Sequence, residues 1–184
     1  MGQYLALGLT YSIFTGLENL RKNKVSNGSL RRGIQRSLSF DMTLYDEVET
    51  DNNLVFTLKD ESLEKDLLPF LETLYPMIYE QKNKKDIGIL KQLHSTPSTQ
   101  WWDVDHEKDD CVFQIDNYAE SCIIKLGNSQ SNIRLGFDNV ILYRGHGKIL
   151  TEGMDDFIDL FNRCLHETFN EHPIVRSVQV YITG

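Results

Sequence analysis

The sequence predicts an α+β fold: mainly antiparallel sheet, with about three to four helices packed on one side. Short runs in which apolar residues alternate with polar ones recur along the chain, separated by Asn, Gly, Ser and Asp. Helical patterns interrupt these runs too irregularly for a doubly wound parallel sheet. The composition, 40% hydrophobic and 25% charged, is that of a globular protein.

The first element is a near-continuous apolar run at residues 3–13, which predicts a strand buried on both faces at the centre of a sheet. A helix is expected next, because Thr15 and Glu18 have the spacing of a capping box. Asn27-Gly28 would end that helix in a left-handed turn. A second short helix would place Leu30 and Ile34 on the core and direct its arginines away from it: Arg31, Arg32 and Arg36.

A hairpin is predicted after these helices. Apolar residues alternate over 38–44 and again over 54–58, on either side of a turn at 51–53. Residues 61–82 then carry leucines at helical spacing. Pro69 and Pro76 predict that this helix begins near Pro69 or is kinked, since proline lacks an amide donor.

The second half predicts an antiparallel meander of four strands, at 111–115, 122–126, 133–137 and 140–142. A helix from about Met154 to before Pro173 and a strand over 178–182 complete it. We expect one domain over residues 1–184. Two similar sub-halves, 1–85 and 111–184, joined by an irregular connector at 86–110, are the alternative.

The charge distribution restricts the class of partner. The chain has 27 acidic and 19 basic residues, a net charge of −8. This excludes a direct nucleic-acid partner, because phosphates require a basic footprint. The charge is uneven: residues 21–36 contain six basic residues and no acid, whereas acids dominate 41–66. A basic protein is the partner that this charge favours.

The cellular compartment is predicted from cysteines and hydropathy. Three cysteines, an odd number, within apolar patterns indicate reduced thiols. The apolar run at 4–14 has no basic residue before it and is too short to span a bilayer. We therefore expect a cytoplasmic protein that does not bind membranes.

Common catalytic and cofactor motifs are missing from the sequence. It contains no GxSxG, HExxH or GxxxxGK[ST] spacing. Alternating acids at 103–109 resemble a calcium loop, but Lys108 stands where glycine is needed and Gln114 where the closing glutamate belongs. We therefore expect no catalytic residue, no metal and no cofactor.

One segment combines aromatic area with five carboxylates in ten residues. Exposed tryptophan anchors protein interfaces, and charge of one sign steers a partner of the other sign. The alternative is a tryptophan pair in the core beside a solvated loop. On the first interpretation, the partner-binding residues are Trp101, Trp102, Asp103, Asp105, Glu107, Asp109 and Asp110.

A second candidate is a small-anion site at Arg144, His146 and Lys148, where Gly145 and Gly147 would let a ligand approach the backbone. A hairpin or bulged turn explains the two glycines equally well.

Three functional hypotheses follow. The first is a non-enzymatic acidic module that occupies and neutralises a basic protein, such as the immunity protein of a bacterial toxin–immunity pair. A nucleic-acid-targeting toxin would present the basic cleft that such a protein covers. The second is a small enzyme of unknown reaction with its site around Arg144 and His146. The third is an accessory subunit of a larger assembly.

Overall fold

A computed structural model of the chain describes residues 4–78, 88–97, 114–116, 121–126, 131–145, 154–169 and 173–183. Its strands are β1 (Tyr4–Gly16), β2 (Tyr45–Glu49), β3 (Asn53–Leu58), β4 (Gln114–Asp116), β5 (Ser121–Leu126), β6 (Ser131–Gly145) and β7 (Val178–Thr183). Its helices are α1 (Leu17–Lys22), α2 (Asn27–Leu38), α3 (Asp60–Ser62), α4 (Leu68–Ile78), α5 (Gly88–Ser95) and α6 (Met154–Phe169). The α+β class is confirmed, and the helix count is a little higher than predicted.

All strand pairs are antiparallel, and the two long strands β1 and β6 form the middle of the sheet, in the order β2-β3-β1-β6-β4. One edge of β1 pairs with β6. The other edge pairs with β7 and then with β3, which lie end to end. The free edge of β6 likewise pairs with β5 and β4 in succession. Strands from 1–85 and from 111–184 therefore share one sheet.

The prediction that the first apolar run is a central strand is confirmed. Five consecutive residues from Leu5 to Leu9 are buried, so side chains on both faces of β1 are covered. Leu7 and Leu9 on one face and Ala6 on the other are each 0% exposed. Burial of both faces requires apolar residues at every position, which explains the absence of alternation here.

Two β-bulges interrupt the pairing of β1 with β6. Between Thr10 and Ser12 the register skips Tyr11, and between Leu7 and Gly8 it skips Leu142 on the opposite strand. A bulge disrupts the hydrogen-bond ladder locally and reverses the side of the sheet to which later residues point. Thr10 and Ser12 accordingly pair with Asn139 and Asp138, which are consecutive and so face opposite sides.

Two buried tyrosines donate to carbonyls at these bulges. The Tyr45 hydroxyl, at the start of β2, lies 2.8 Å from the carbonyl of Thr10 and 2.8 Å from Ser177 Oγ. The Tyr75 hydroxyl, in α4, lies 2.7 Å from the carbonyl of Leu142. Both tyrosines are at most 1% exposed. A buried carbonyl without a donor costs stability, so these contacts satisfy acceptors where the ladder is irregular.

The ends of the first two helices differ from prediction. Gly16 is the N-cap of α1 and makes no side-chain cap. Thr15 instead donates its hydroxyl to the carbonyl of Arg134, 2.8 Å away on β6. Asn27-Gly28 begins α2 instead of ending α1, because Ser26 accepts from the amide of Ser29 as its N-cap. The left-handed residue between the helices is Lys24, with φ of 54°.

The hairpin is confirmed, but its first arm is shorter than the alternation predicted. β2 begins at Tyr45, whereas Met42–Leu44 form a 3-10 turn and Leu38 ends α2. The following helix has the predicted irregularity near Pro69. A π-helical segment at Leu63–Leu67 joins α3 to α4, so that Pro69 falls in the first turn of α4, where its missing amide costs little.

Two further predictions are corrected in the second half. The strands predicted at 133–137 and 140–142 are one continuous strand, β6, because Asp138 and Asn139 pair with β1 instead of forming a turn. The connector predicted to be irregular at 86–110 contains α5. The rest of that connector beyond residue 97 lies outside the described residues.

We predict that Tyr45→Phe lowers the free energy of unfolding by about 1–3 kcal/mol, because it leaves the buried Thr10 carbonyl without its donor. Tyr75→Phe should lower the free energy of unfolding to a similar extent, because it removes the donor to the Leu142 carbonyl. Urea denaturation of the purified variants measures this. Thr43→Val is the control, since its hydroxyl bond to Asp41 is exposed and its loss should cost less than about 0.5 kcal/mol. An equal effect of Tyr45→Phe and Thr43→Val would contradict the role assigned to Tyr45.

We also predict an alkaline signature of the same residue. Burial raises the pKa of the Tyr45 hydroxyl well above its ordinary value of 10.0, with the Ser177 hydrogen bond acting in the opposite direction. The unfolded chain loses this proton at a lower pH than the folded chain does. The contribution of the protonated Tyr45 hydroxyl to the free energy of unfolding is therefore complete below about pH 10 and is lost as the pH rises beyond it. From about pH 10 upward, the free energy of unfolding should fall less steeply with rising pH for Tyr45→Phe than for the native chain. The two slopes should differ by about 1.4 kcal/mol per pH unit. Parallel curves would refute this.

Candidate functional site

The two sites predicted from sequence lie mainly outside the described residues. The aromatic and acidic segment, Trp101, Trp102, Asp103, Asp105, Glu107, Asp109 and Asp110, falls entirely outside them. His146 and Lys148 of the small-anion site do so as well. Arg144 belongs to the last two residues of β6, where its backbone pairs with Ala6. Both sites therefore stay predictions.

Strand β2, which lies within the acidic stretch at 41–66, forms an exposed edge of the sheet. Among the described strands, β2 pairs only with β3, and residues 46–52 are all exposed. Strand β2 thus presents acids beside backbone groups that have no strand partner on that side. α3 and the π-helical segment continue the acidic surface after β3. Lys59, which lies between β3 and α3, connects this segment to the start of β2 by donating to the Thr43 carbonyl at 2.7 Å.

The acids on this edge are neutralised unequally. Glu47 faces α2, where the Asn27 amide donates to it at 2.7 Å and Arg31 Nε lies 3.8 Å away. Asp46 lies 4.0 Å from Lys59 Nζ. Glu49 and Asp51, at the hairpin turn, form no ion pair with any described residue. The least compensated negative charge on β2 is therefore at its turn end.

Arg31 is a structural residue, which corrects the prediction that it points away from the core. Its guanidinium lies 2.5 Å from the Met42 carbonyl and 3.1 Å from the Tyr45 carbonyl. It also stacks 5.2 Å above the ring of Phe56. Arg31 therefore joins α2 to the hairpin, while Arg32 and Arg36 are exposed as predicted.

One face of the sheet is open at its β5 end. Ile124 is 3% exposed, whereas its neighbour Ile123 on the opposite face is 64% exposed. Through the strand registers, the residues of β1, β2, β3 and β6 that share the face of Ile123 include Ser12, Phe14, Asp46, Val48, Val55, Thr57, Arg134, Gly136 and Asp138. We call this set the open face. Val48, the other large exposed apolar residue, is 50% exposed. Further along the strands the same face is buried, at Leu9 and Val140.

A pocket of about 420 Å³ opens where β1 runs into α1, at the end of the open face. Its walls come from β1, α1, the hairpin and β6, and include Phe14, Gly16, Asn19, Asn53, Arg134 and Gly136. The amide of Leu17 donates to the carbonyl of Asn52 at 2.8 Å, which holds α1 against the hairpin turn. The pocket therefore combines one guanidinium, two carboxamides and one aromatic ring.

The close contact between Phe14 and Gly136 shapes this pocket. A Cβ at position 136 would overlap Cζ of the Phe14 ring, closer than atoms can approach. The ring therefore occupies the space of a side chain on β6, and only glycine allows it. Gly16, in contrast, has nothing within 4 Å of its Cβ position.

Cysteine, histidine and acidic side chains elsewhere in the described residues show no metal-binding cluster and no activated thiol. No group of three or more His, Cys, Asp or Glu there is arranged to hold a metal ion. Cys122 is a free, half-buried thiol, and burial raises its pKa, which disfavours the reactive thiolate. His94 Nε2 lies 2.6 Å from Glu72, a contact between α5 and α4. None of the described helices has the length and apolar character needed to cross a membrane.

Sequence reasoning missed the pocket because its polar residues come from four separated segments: Asn19, Asn53 and Arg134 follow no shared spacing. The available signal was Gly136 within an alternating strand pattern, since an isolated glycine there indicates close approach of another group. That signal points to Gly136 but not to Phe14.

We predict that Gly136→Ala lowers the free energy of unfolding by about 1–3 kcal/mol, because the new methyl group displaces the Phe14 ring. Chemical denaturation measures this loss. The double variant Phe14→Leu/Gly136→Ala should recover part of it, which identifies the ring as the obstacle. Gly16→Ala is the matched control, because its methyl group meets open space. Alanine is less favoured than glycine at an N-cap, but it also lowers the conformational entropy of the unfolded chain, so the free energy of unfolding should change by less than about 0.5 kcal/mol. If both glycine variants behave alike, the contact is unimportant.

Comparisons with known proteins do not assign the chain to a family. No protein-family model matches it, no curated protein matches it, and no solved structure matches it. The arguments about function below therefore rest on the charges, contacts and cavities of this chain.

Proposed function

We propose that this protein is a non-enzymatic, cytoplasmic binding module that occupies and neutralises a basic protein partner. The immunity protein of a bacterial toxin–immunity pair is a concrete example of such a role. The observation that supports the proposal is the acidic, exposed edge formed by β2 and continued by α3.

The concentration of charge is the first argument. Residues 41–66 hold nine acidic residues and two lysines, a net charge of −7 within a chain whose total is −8. The rest of the chain is thus close to neutral. The nine acids are Asp41, Asp46, Glu47, Glu49, Asp51, Asp60, Glu61, Glu64 and Asp66. Charge gathered on one surface raises the rate at which an oppositely charged protein associates.

The edge strand is the second argument. An exposed edge can accept an extended segment of another protein as an additional strand, through backbone hydrogen bonds. Acidic side chains on β2 repel a second copy of the same strand, so they also oppose self-association. A basic segment meets no such repulsion, and Val48 offers it apolar area on the open face, opposite the face that carries Glu47 and Glu49. The edge therefore favours a basic partner on both counts.

The first test is recovery of the partner from the native host with the tagged 184-residue chain, eluted at low and then at high salt. A single basic protein recovered in near-stoichiometric amount and released by salt is the expected result. Loss of the partner's activity upon binding would show neutralisation. A partner that is acidic, or that salt does not release, would contradict the proposal.

We predict that the double variant Glu49→Gln/Asp51→Asn slows association with that partner by about tenfold at low salt, because it removes the least compensated charges of β2. Stopped-flow or surface plasmon resonance measures the rate. Asp155→Asn/Asp156→Asn is the matched control: it removes the same charge from exposed positions on α6. Its association rate should stay within about twofold of the native rate.

The same assay tests the segment predicted from sequence. Asp103→Asn/Asp105→Asn removes an equal charge from the aromatic and acidic segment. If this variant slows association and Glu49→Gln/Asp51→Asn does not, the partner binds that segment and not the β2 edge. If all three doubles have the same rate, charge at a defined surface does not steer binding.

A further inference from the structure

We propose that β2 binds a short basic segment of the partner as an added antiparallel strand, in a register that Glu47 and Glu49 define. This inference deepens the proposed function and rests on it, because it specifies how the basic partner is held. A segment added at a sheet edge is held by backbone hydrogen bonds, and its alternate side chains give specificity. The backbone groups and side chains that β2 offers therefore define the sequence of that segment.

The hairpin determines which backbone groups of β2 point away from β3. In an antiparallel pair, residues that exchange hydrogen bonds with the residue opposite alternate with residues that do not. The Thr50 amide donates to the Asn53 carbonyl at 2.8 Å, and the Lys59 amide donates to the Leu44 carbonyl at 2.9 Å. Even-numbered residues of this arm therefore direct their backbone groups towards β3, and odd-numbered residues direct theirs outward.

Arg31 limits the length of the edge that is available. Its guanidinium lies 3.1 Å from the Tyr45 carbonyl, which agrees with the outward direction of odd-numbered residues and closes the edge at that end. The outward amides and carbonyls of Glu47 and Glu49 have no partner among the described residues. These four groups can exchange hydrogen bonds with two residues of an antiparallel strand, one opposite each glutamate.

The side chains of β2 predict the sequence pattern of the added strand. Residues directly opposite each other share a face of the sheet, and opposite charges at such positions attract while like charges repel. Lysine or arginine is therefore expected opposite Glu47 and Glu49. The residue between them lies on the open face opposite Val48, which is 50% exposed and offers apolar contact. The expected segment alternates basic, apolar and basic residues.

The two glutamates contribute unequally to this recognition. Glu47 already accepts from Asn27 and lies 3.8 Å from Arg31 Nε, so its charge is partly compensated. Glu49 forms no ion pair with any described residue, and Asp51 adds a second such carboxylate at the turn. The basic residue opposite Glu49 should therefore contribute more to binding than the one opposite Glu47.

The probe is the capped pentapeptide Thr-Lys-Val-Lys-Thr, titrated into the ¹⁵N-labelled 184-residue chain in two N-methylated forms. In the proposed register, both lysine amides point towards β2 and the valine amide points away. Methylation of the valine amide leaves every bond to β2 intact. Methylation of both lysine amides removes two bonds without changing charge or side chains, and should weaken binding by at least about tenfold.

Amide proton shifts report the register. Saturable downfield shifts are expected for the amides of Glu47 and Glu49, whereas those of Asp46 and Val48, already bonded to β3, should move little. Equal affinity of the two methylated peptides would overturn strand addition, and salt-dependent binding of both would leave the basic partner of the proposed function intact. Absence of shifts at Glu47 and Glu49 would also overturn it, while recovery of the partner from the host tests the proposed function separately.

A pair of charge variants tests the position opposite Glu49. Glu49→Gln should weaken binding of the valine-methylated peptide by about threefold, because it removes the uncompensated carboxylate opposite a lysine. Glu64→Gln is the matched control: it removes the same charge from an exposed position in the π-helical segment and should leave the affinity unchanged. Equal affinities of the two variants for this peptide would overturn the register.

Discussion

The pairing of β1 with β6 is the constraint on which the rest of the structure depends. β1 contacts β3, β6 and β7, and β6 holds β4 and β5, so every described strand except β2 is bonded to one of these two. This ladder contains two bulges, and a buried tyrosine donates a hydroxyl at each. Those tyrosines come from β2 and α4, so the two irregular points of the sheet are also the points where other elements attach to it.

The bulge at Tyr11 determines which side chains form the pocket. Before it, Leu5, Leu7 and Leu9 face one side; after it, Ile13 faces the other side and packs with Phe137 and Phe56. If Tyr11 were paired in a regular ladder, Phe14 would take the buried side and Ile13 the exposed one. The bulge therefore places Phe14 on the open face, opposite Gly136. The Tyr45 hydroxyl bond at Thr10 stabilises the backbone one residue before this change of side.

Much of the fold could be predicted from local pattern, and the failures share one cause. The buried run of β1, the hairpin and the helix near Met154 follow from hydrophobic periodicity alone. The continuity of β6 through Asp138 and Asn139 could not be predicted, because these residues resemble a turn and are satisfied by Ser12 and Thr10 on a distant strand. Arg31 resembled a solvated arginine for the same reason: its acceptors, at Met42 and Tyr45, are supplied only by the tertiary structure. The pocket is a further example, because strand pairing and the packing of α1 bring together Asn19, Asn53 and Arg134.

The acidic edge and the pocket meet at the hairpin turn, yet their charged side chains have opposite sign. Glu49 and Asp51 form no ion pair with any described residue, while Arg134 places a guanidinium at the pocket on the adjacent open face. Exposed ion pairs stabilise a fold by at most about 1 kcal/mol, so the stability of this protein does not require its acids to concentrate in residues 41–66. The concentration of seven of the eight net negative charges in residues 41–66 opposes pairing of β2 with a second copy and would speed the association of a basic chain, which is why the proposed partner is basic.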